Sequence, residues 1–132
     1  MALRVEHLPG LAGWAPALLH ENGNLWLSLP VASGHAEFSI RLPLTASQAV
    51  ALRADPGRAW IVFGALHARL QTLGPRVAQG LAAEIAAAIL PRVLEADDLA
   101  ALCDALRRDT PDFDNAIARA SGGSYRAPGM GD

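Results

Sequence analysis

The stretch from Asp55 to Gly74, DPGRAWIVFGALHARLQTLG, constrains the fold of this chain more than any other. Asp55 is placed to cap a helix start, because a carboxylate there accepts hydrogen bonds from the first free backbone N–H groups. Pro56 suits the first helical position, where its missing donor costs nothing. Gly74 is expected to take the left-handed conformation that ends a helix, and Pro75 to stop continuation. Between them Ala59, Phe63, Leu66, Leu70 and Leu73 recur at three- and four-residue intervals and form one apolar stripe. A helix over 56–73 is roughly 27 Å long at about 1.5 Å per residue, enough to span a small domain.

What precedes this helix has period two. Leu3 to Leu8 reads as a short first strand, ended by Pro9-Gly10, and Trp14 to His20 as a second, with Pro16 suggesting an edge position. Asn22-Gly23 between apolar runs is the strongest hairpin signal, since both residues tolerate the positive φ of a type I′ turn. Leu25, Leu27 and Leu29 alternate with Trp26 and Ser28; after a second turn at Ser33-Gly34, Phe38, Ile40 and Leu42 alternate with Ser39 and Arg41. This describes an antiparallel meander of three to four strands with one covered face.

After Pro43 the period becomes 3.6. Thr45-Ala46-Ser47-Gln48 has capping-box spacing, with Leu44 placed to staple onto Ala49, and opens a helix to about Ala54. After the 55–74 element a third helix runs from Pro75 to Leu90, with Val77, Leu81, Ile85, Ala88 and Ile89 on its inner face and Pro91 as its break or kink. A fourth, 96–108, buries Leu99, Leu102, Cys103 and Leu106. Thr110-Pro111 opens a short fifth that carries Phe113 and Ile117 and stops at Ser121-Gly122-Gly123. Strands first and helices after predict an α+β domain over 1–120, its meander packed on four to five helices, with a loosely held tail over 121–132.

The chain has 132 residues and a single cysteine, Cys103, which rules out an internal disulfide and every CxxC-type zinc site. With no basic-then-apolar leader and no uninterrupted apolar run of about eighteen residues, the expected location is the cytoplasm, without membrane contact. Charge is uneven. Residues 1–94 hold seven Arg against five acids, whereas 95–114 hold seven acids against Arg107 and Arg108. An acidic segment repels nucleic-acid phosphate and attracts a basic partner. Asp97, Asp98, Asp104, Asp109, Asp112 and Asp114 are therefore candidate partner-binding residues, although acids at helix starts and on solvated faces need no partner. Trp26, which alternates off the leucine face, is a candidate aromatic anchor.

His67 lies with Trp60, Gly64 and Gln71 on a second stripe of the 55–74 helix. There it is either a flank histidine bonded to a neighbouring element or a working group in a groove left open by Gly64, with Glu37 or Arg41 as companions. His7, His20 and His35 lie near Glu6, Glu21 and Glu37, but neighbours in a strand point to opposite faces, so Glu6-His7 and His20-Glu21 are not same-face pairs. No metal site is expected. Cys103, on an apolar helix face, reads as an inert thiol with Arg107 the nearest cation at helical spacing. GxSxG, HExxH, GxxxxGK[ST] and GxGxxG are absent, and no cofactor is expected.

The runs Ile40-Arg41-Leu42-Pro43-Leu44-Thr45, Leu52-Arg53-Ala54-Asp55-Pro56-Gly57-Arg58-Ala59 and Leu66-His67-Ala68-Arg69-Leu70-Gln71, within 40–71, resemble small bacterial immunity proteins of contact-dependent growth inhibition. The resemblance implies a cytoplasmic protein that binds and neutralises a cognate toxin domain, a nuclease being one candidate. Three readings follow. The first is a non-enzymatic protein-binding module using the acidic helical surface and Trp26. The second is a small enzyme or ligand-binding domain with a pocket between sheet and helix around His67, Trp60, Gln71, Glu37 and Arg41. The third is a homodimer built on Trp26 and the alanine-rich third helix.

Overall fold

The computed structural model describes residues 3–11, 14–33 and 36–129. The order is β1 (Arg4–His7), β2 (Ala17–Glu21), β3 (Asn24–Ser33), β4 (Ala36–Leu44), α1 (Ala46–Ala54), α2 (Gly57–Leu70), α3 (Pro75–Leu94), α4 (Leu99–Asp109) and α5 (Phe113–Ser121). The fold is α+β: the strands form one antiparallel sheet in the order β1-β2-β3-β4, and the helices follow. Asn22 and Gly23 have φ of 53° and 80°, as a type I′ hairpin requires. The second expected turn residue, Gly34, and His35 lie outside the described residues.

The pleat sorts the strands into two faces. Leu18, Leu27, Leu29, Val31, Ile40 and Leu42 are buried in one cluster with Leu52 of α1 and Ala59, Phe63 and Leu66 of α2. Each Leu, Ile, Val or Phe side chain among them contributes about 1.5–3 kcal/mol through removal from water. Pro16 does not mark an edge strand: β2 lies between β1 and β3 and starts at Ala17, so the proline precedes the ladder and no hydrogen bond is lost. The true edge at β4 is covered by α3. There the Gln79 amide acts as a surrogate strand, accepting from Arg41 N–H at 2.9 Å and donating to Arg41 C=O at 3.2 Å.

α2 exists as expected, but its ends are made differently. Asp55 caps no helix start; it is the C-cap of α1, and its carboxylate accepts from Arg58 Nε at 3.2 Å. Gly74 is extended (φ −70°, ψ 162°) and opens α3 instead of closing α2, which ends at Leu70. Burial is not confined to one stripe either. Every residue from Ala59 to His67 is buried, because the sheet, α3 and α5 surround the helix. The groove expected at Gly64 is filled by α5: a Cβ at Gly64 would fall 2.8 Å from Ile117 Cδ1 and 2.9 Å from Phe113 Cδ1.

α3 turns a different face inward from the one expected. Ala78, Ala82, Ala86, Ile89, Leu90, Val93 and Leu94 are buried, whereas Val77 and Leu81 are 53% and 40% exposed. The alanines let α3 approach β4 closely, and that gain outweighs burying the larger side chains. Pro91 does not break the helix. Val93 and Leu94 beyond it are buried, and Arg58 donates to the carbonyls of Val93 (2.6 Å) and Ala96 (3.1 Å) at the helix end. α3 is long and apolar enough to cross a membrane by composition, with a mean hydropathy of 1.5, and its inner face is part of this core.

The capping box at Thr45 and Gln48 is present, with bonds of 3.2 and 2.9 Å. Asp98 caps α4 through Ala101 N–H at 3.0 Å. α5 carries buried Phe113 and Ile117 and ends on Gly122, as expected. Of the segment expected as a loose tail, Ala127 is buried, and Arg107 donates to Pro128 C=O at 2.7 Å.

Candidate functional site

β2 stops opposite Ser28, so residues 29–33 of β3 have no β2 residue beside them. Where that ladder ends, a cleft of about 340 Å³ opens, walled by Trp14, Ala32, Phe63 and Gln71, by Ala116 and Ala120 of α5, and by Arg119 at its side. His67 also lines it and is only 5% exposed. Phe63, His67 and Gln71 recur every fourth residue of α2 and so share one side of the helix. Ala116 and Ala120 do the same on α5, with Arg119 beside Ala120, and the contact through Gly64 holds α5 in place.

The walls are mostly apolar and aromatic. The Trp14 and Phe63 rings meet edge to face with centroids 6.0 Å apart, and the His67 ring stacks at a tilt on Phe63 at 4.8 Å. His67 Nε2 lies 3.3 Å from Ala32 N–H and accepts from it. That bond places the proton of the neutral ring on Nδ1. Burial holds the imidazole pKa below its usual value, with Asp112 opposing this and Arg119 reinforcing it. His67 Nδ1 is itself buried and has no partner among the described residues. A donor left this way costs about 1–3 kcal/mol. Arg119 is tied to Asp112 by one bond of 3.1 Å from Nη2.

The cleft brings together only part of the expected pocket. His67 and Gln71 line it, but Trp60, Glu37 and Arg41 do not. Trp60 is buried one turn away, edge on to Phe63 at 5.5 Å. Glu37 is exposed on β4, and Arg41 pairs with Glu21 at 3.0 Å. The pocket therefore lies between α2, α5 and the end of the sheet, not under the sheet. Trp14, Ala32, Ala116, Arg119 and Ala120 carried no sequence signal, because their meeting depends on helix packing.

Most of the acidic residues are engaged within the fold. Asp98 caps α4. Asp104 and Asp114 share Arg107, at 2.9 and 2.7 Å, and Asp112 holds Arg119. Asp97 and Asp109 are exposed. Trp26 is half-buried on the outer face of the sheet, where the register aligns Leu19, Trp26 and Pro43 and pairs Val5 with Leu19. Val5 is 50% exposed and Pro43 is exposed, while Leu19 is buried among them. The Trp26 Nε1–H is shielded and has no acceptor among the described residues.

A second polar cluster went unread in the sequence. Glu6 accepts from Arg53 Nε at 2.8 Å and Arg53 Nη2 at 3.0 Å, and meets His20 Nε2 at 2.8 Å. Arg53 and His20 together hold the Glu6 carboxyl down at about 2. It is a diagonal pair across β1 and β2, visible only once their register is known. Among the described residues no three His, Cys, Asp or Glu side chains converge as a metal site. Cys103 is buried, and burial pushes its thiol pKa up against the pull of Arg107.

Comparison with protein-family models, with curated proteins and with solved structures finds no match for this chain.

Proposed function

We propose that this chain is a non-enzymatic protein-binding module of the immunity type, a cytoplasmic inhibitor that binds and occludes a cognate toxin domain. The observation that carries the binding half is the row Val5, Leu19, Trp26 and Pro43, which crosses all four strands on the outer face of the sheet. An apolar row beside the Glu21–Arg41 ion pair has the make-up of an interface core with a polar rim. Trp26 is its anchor, half-buried at the centre of the row. Asp97 and Asp109 add a negative field that steers a basic partner, such as a nuclease groove, towards the domain. The immunity half rests on the resemblance over 40–71.

A photo-crosslinking residue at position 26, compared with one at exposed Val50 of α1, tests this in the native cell. The expected product at position 26 alone is a cross-link to the toxic C-terminal domain of a large secreted protein, and co-expression of this chain then abolishes that toxicity. Equal labelling at both positions, or no protection, would overturn the proposal. A cross-link to a second copy would replace it with the homodimer.

A further inference from the structure

We infer that α3 docks on α3 of a second copy of this chain, the two helices antiparallel about a two-fold axis at Gly80, through the outer face that carries Val77, Leu81 and Ala87. The inference does not depend on the protein-binding row, which lies on the outer face of the sheet.

A helix that is apolar all round belongs inside a protein. The most apolar stretch of α3 has a mean hydropathy of 1.5, yet only 39% of it is buried. Its inner alanines face β4 and α2, while Val77 and Leu81, at 53% and 40% exposure, share the outer side with exposed Ala83, Ala87 and Ala88. Gly80 lies amid them. A glycine inside a helix weakens it relative to alanine, and a Cβ at Gly80 would meet nothing within 4 Å, so no neighbour within the described chain requires it. At a crossing of two helices the missing side chain lets the backbones approach to the short end of the usual spacing of about 8–10 Å.

Charge names the occupant and the register. Arg76 and Glu84 are exposed and have no hydrogen-bond or ion-pair partner among the described residues. They stand about 12 Å apart along the helix, too far to meet each other. An antiparallel copy centred on Gly80 sets each Arg76 beside Glu84 of the other copy, at equal distances from the axis. An axis at Glu84 sets Glu84 on Glu84 and Arg76 on Arg92, like against like. An axis at Ala88 pairs Glu84 with Arg92 but leaves Val77 beyond the contact. The surface is self-complementary, so assembly closes at two copies. One helix face is smaller than the interface of a permanent dimer, and the pair is therefore reversible.

The test is sedimentation equilibrium of the whole chain over a range of concentrations. The expected result is a monomer–dimer equilibrium with a dissociation constant of about 100 μM or tighter. Gly80→Leu abolishes it while the thermal melt shows the fold retained, since the position is open within the chain. Arg76→Glu and Glu84→Arg each weaken it about ten-fold, and the two together restore it to within about two-fold, because the exchanged charges pair again. Gly80→Cys, on the axis, oxidises to a linked dimer, whereas the parent chain, whose Cys103 is buried, does not. A mass that stays monomeric at every concentration, or a dimer that survives Gly80→Leu, would overturn the inference. Failure of the double variant to recover would overturn the register. Sedimentation of the monomer with phosphatidylcholine vesicles, lost in Gly80→Lys, would assign the face to a lipid surface instead. Cross-linking from position 26 does not involve α3, so either proposal can fail alone.

Discussion

His20 and His67 both contact the sheet, His20 as a residue of β2 and His67 from α2. At His20 one carboxylate joins three elements: Glu6 takes two bonds from Arg53 and one contact from His20, clasping β1 and β2 to α1 at the surface. At His67 the environment is apolar, one nitrogen is satisfied by Ala32 and the other is buried with no partner among the described residues. The first cluster is built on charge at the surface, whereas His67 is held by apolar packing against Phe63 and by one backbone N–H. The same residue type thus sits in two settings, separated by burial: the His20 side chain is 22% exposed, whereas His67 is 5% exposed.

The largest expected effect comes from removing the volume on which the contrast depends. Gly64→Leu forces its side chain into Phe113 and Ile117, displaces α5 and costs about 3 kcal/mol or more in denaturant unfolding. A stable variant with an unchanged cleft would break the comparison. His67→Phe is expected to change stability by less than about 1 kcal/mol at pH 7.5, because losing the acceptor for Ala32 offsets removing the orphan donor.

The pH dependence of stability sharpens the contrast. The folded His67 pKa is below 6.5, so the unfolded chain binds the extra proton first, and stability falls as pH drops below about 6.5. His67→Phe should flatten that part of the profile. Glu6, held at about 2 against an ordinary 4.5, contributes stability that is present above about 4.5 and lost as pH falls towards 2. Glu6→Gln should flatten only that lower window and cost under about 1 kcal/mol at pH 7, since solvent screens the pair. Identical profiles for the two variants would show that the two histidine sites do not differ in the way described. The smallest effect on the fold is expected from Asp97→Lys with Asp109→Lys, which leaves stability within about 0.5 kcal/mol and, under the proposed function, slows association with a basic partner in a salt-dependent way.

The elements were legible because they depend on local chemistry. Asn22-Gly23, the Thr45–Gln48 box and the leucine alternation of β3 each act within a few residues. Two errors around α2 and α3 have different causes. Gly74-Pro75 reads equally well as the end of one helix or the start of the next, and nothing nearby decides. The inner face of α3 was misread because hydrophobicity alone favours Val77 and Leu81, whereas close approach to β4 favours alanine. A quarter of the candidate cleft was legible as a site, in His67 and Gln71; most of the remainder comes from Trp14, β3 and α5, which no spacing rule connects.

By itself the sequence determined the α+β order, the hairpin, the capped start of α1 and the central place of α2, since period, turn residues and caps act at short range. Tertiary structure alone decided which acids remain free, which way α3 faces and where the cleft lies. Asp104 and Asp114 are drawn to one arginine, and Phe113 and Ile117 fill the space over Gly64, only because elements distant in sequence pack together. Whether a polar atom is satisfied depends on every neighbour it meets, and those neighbours are set by the packed chain.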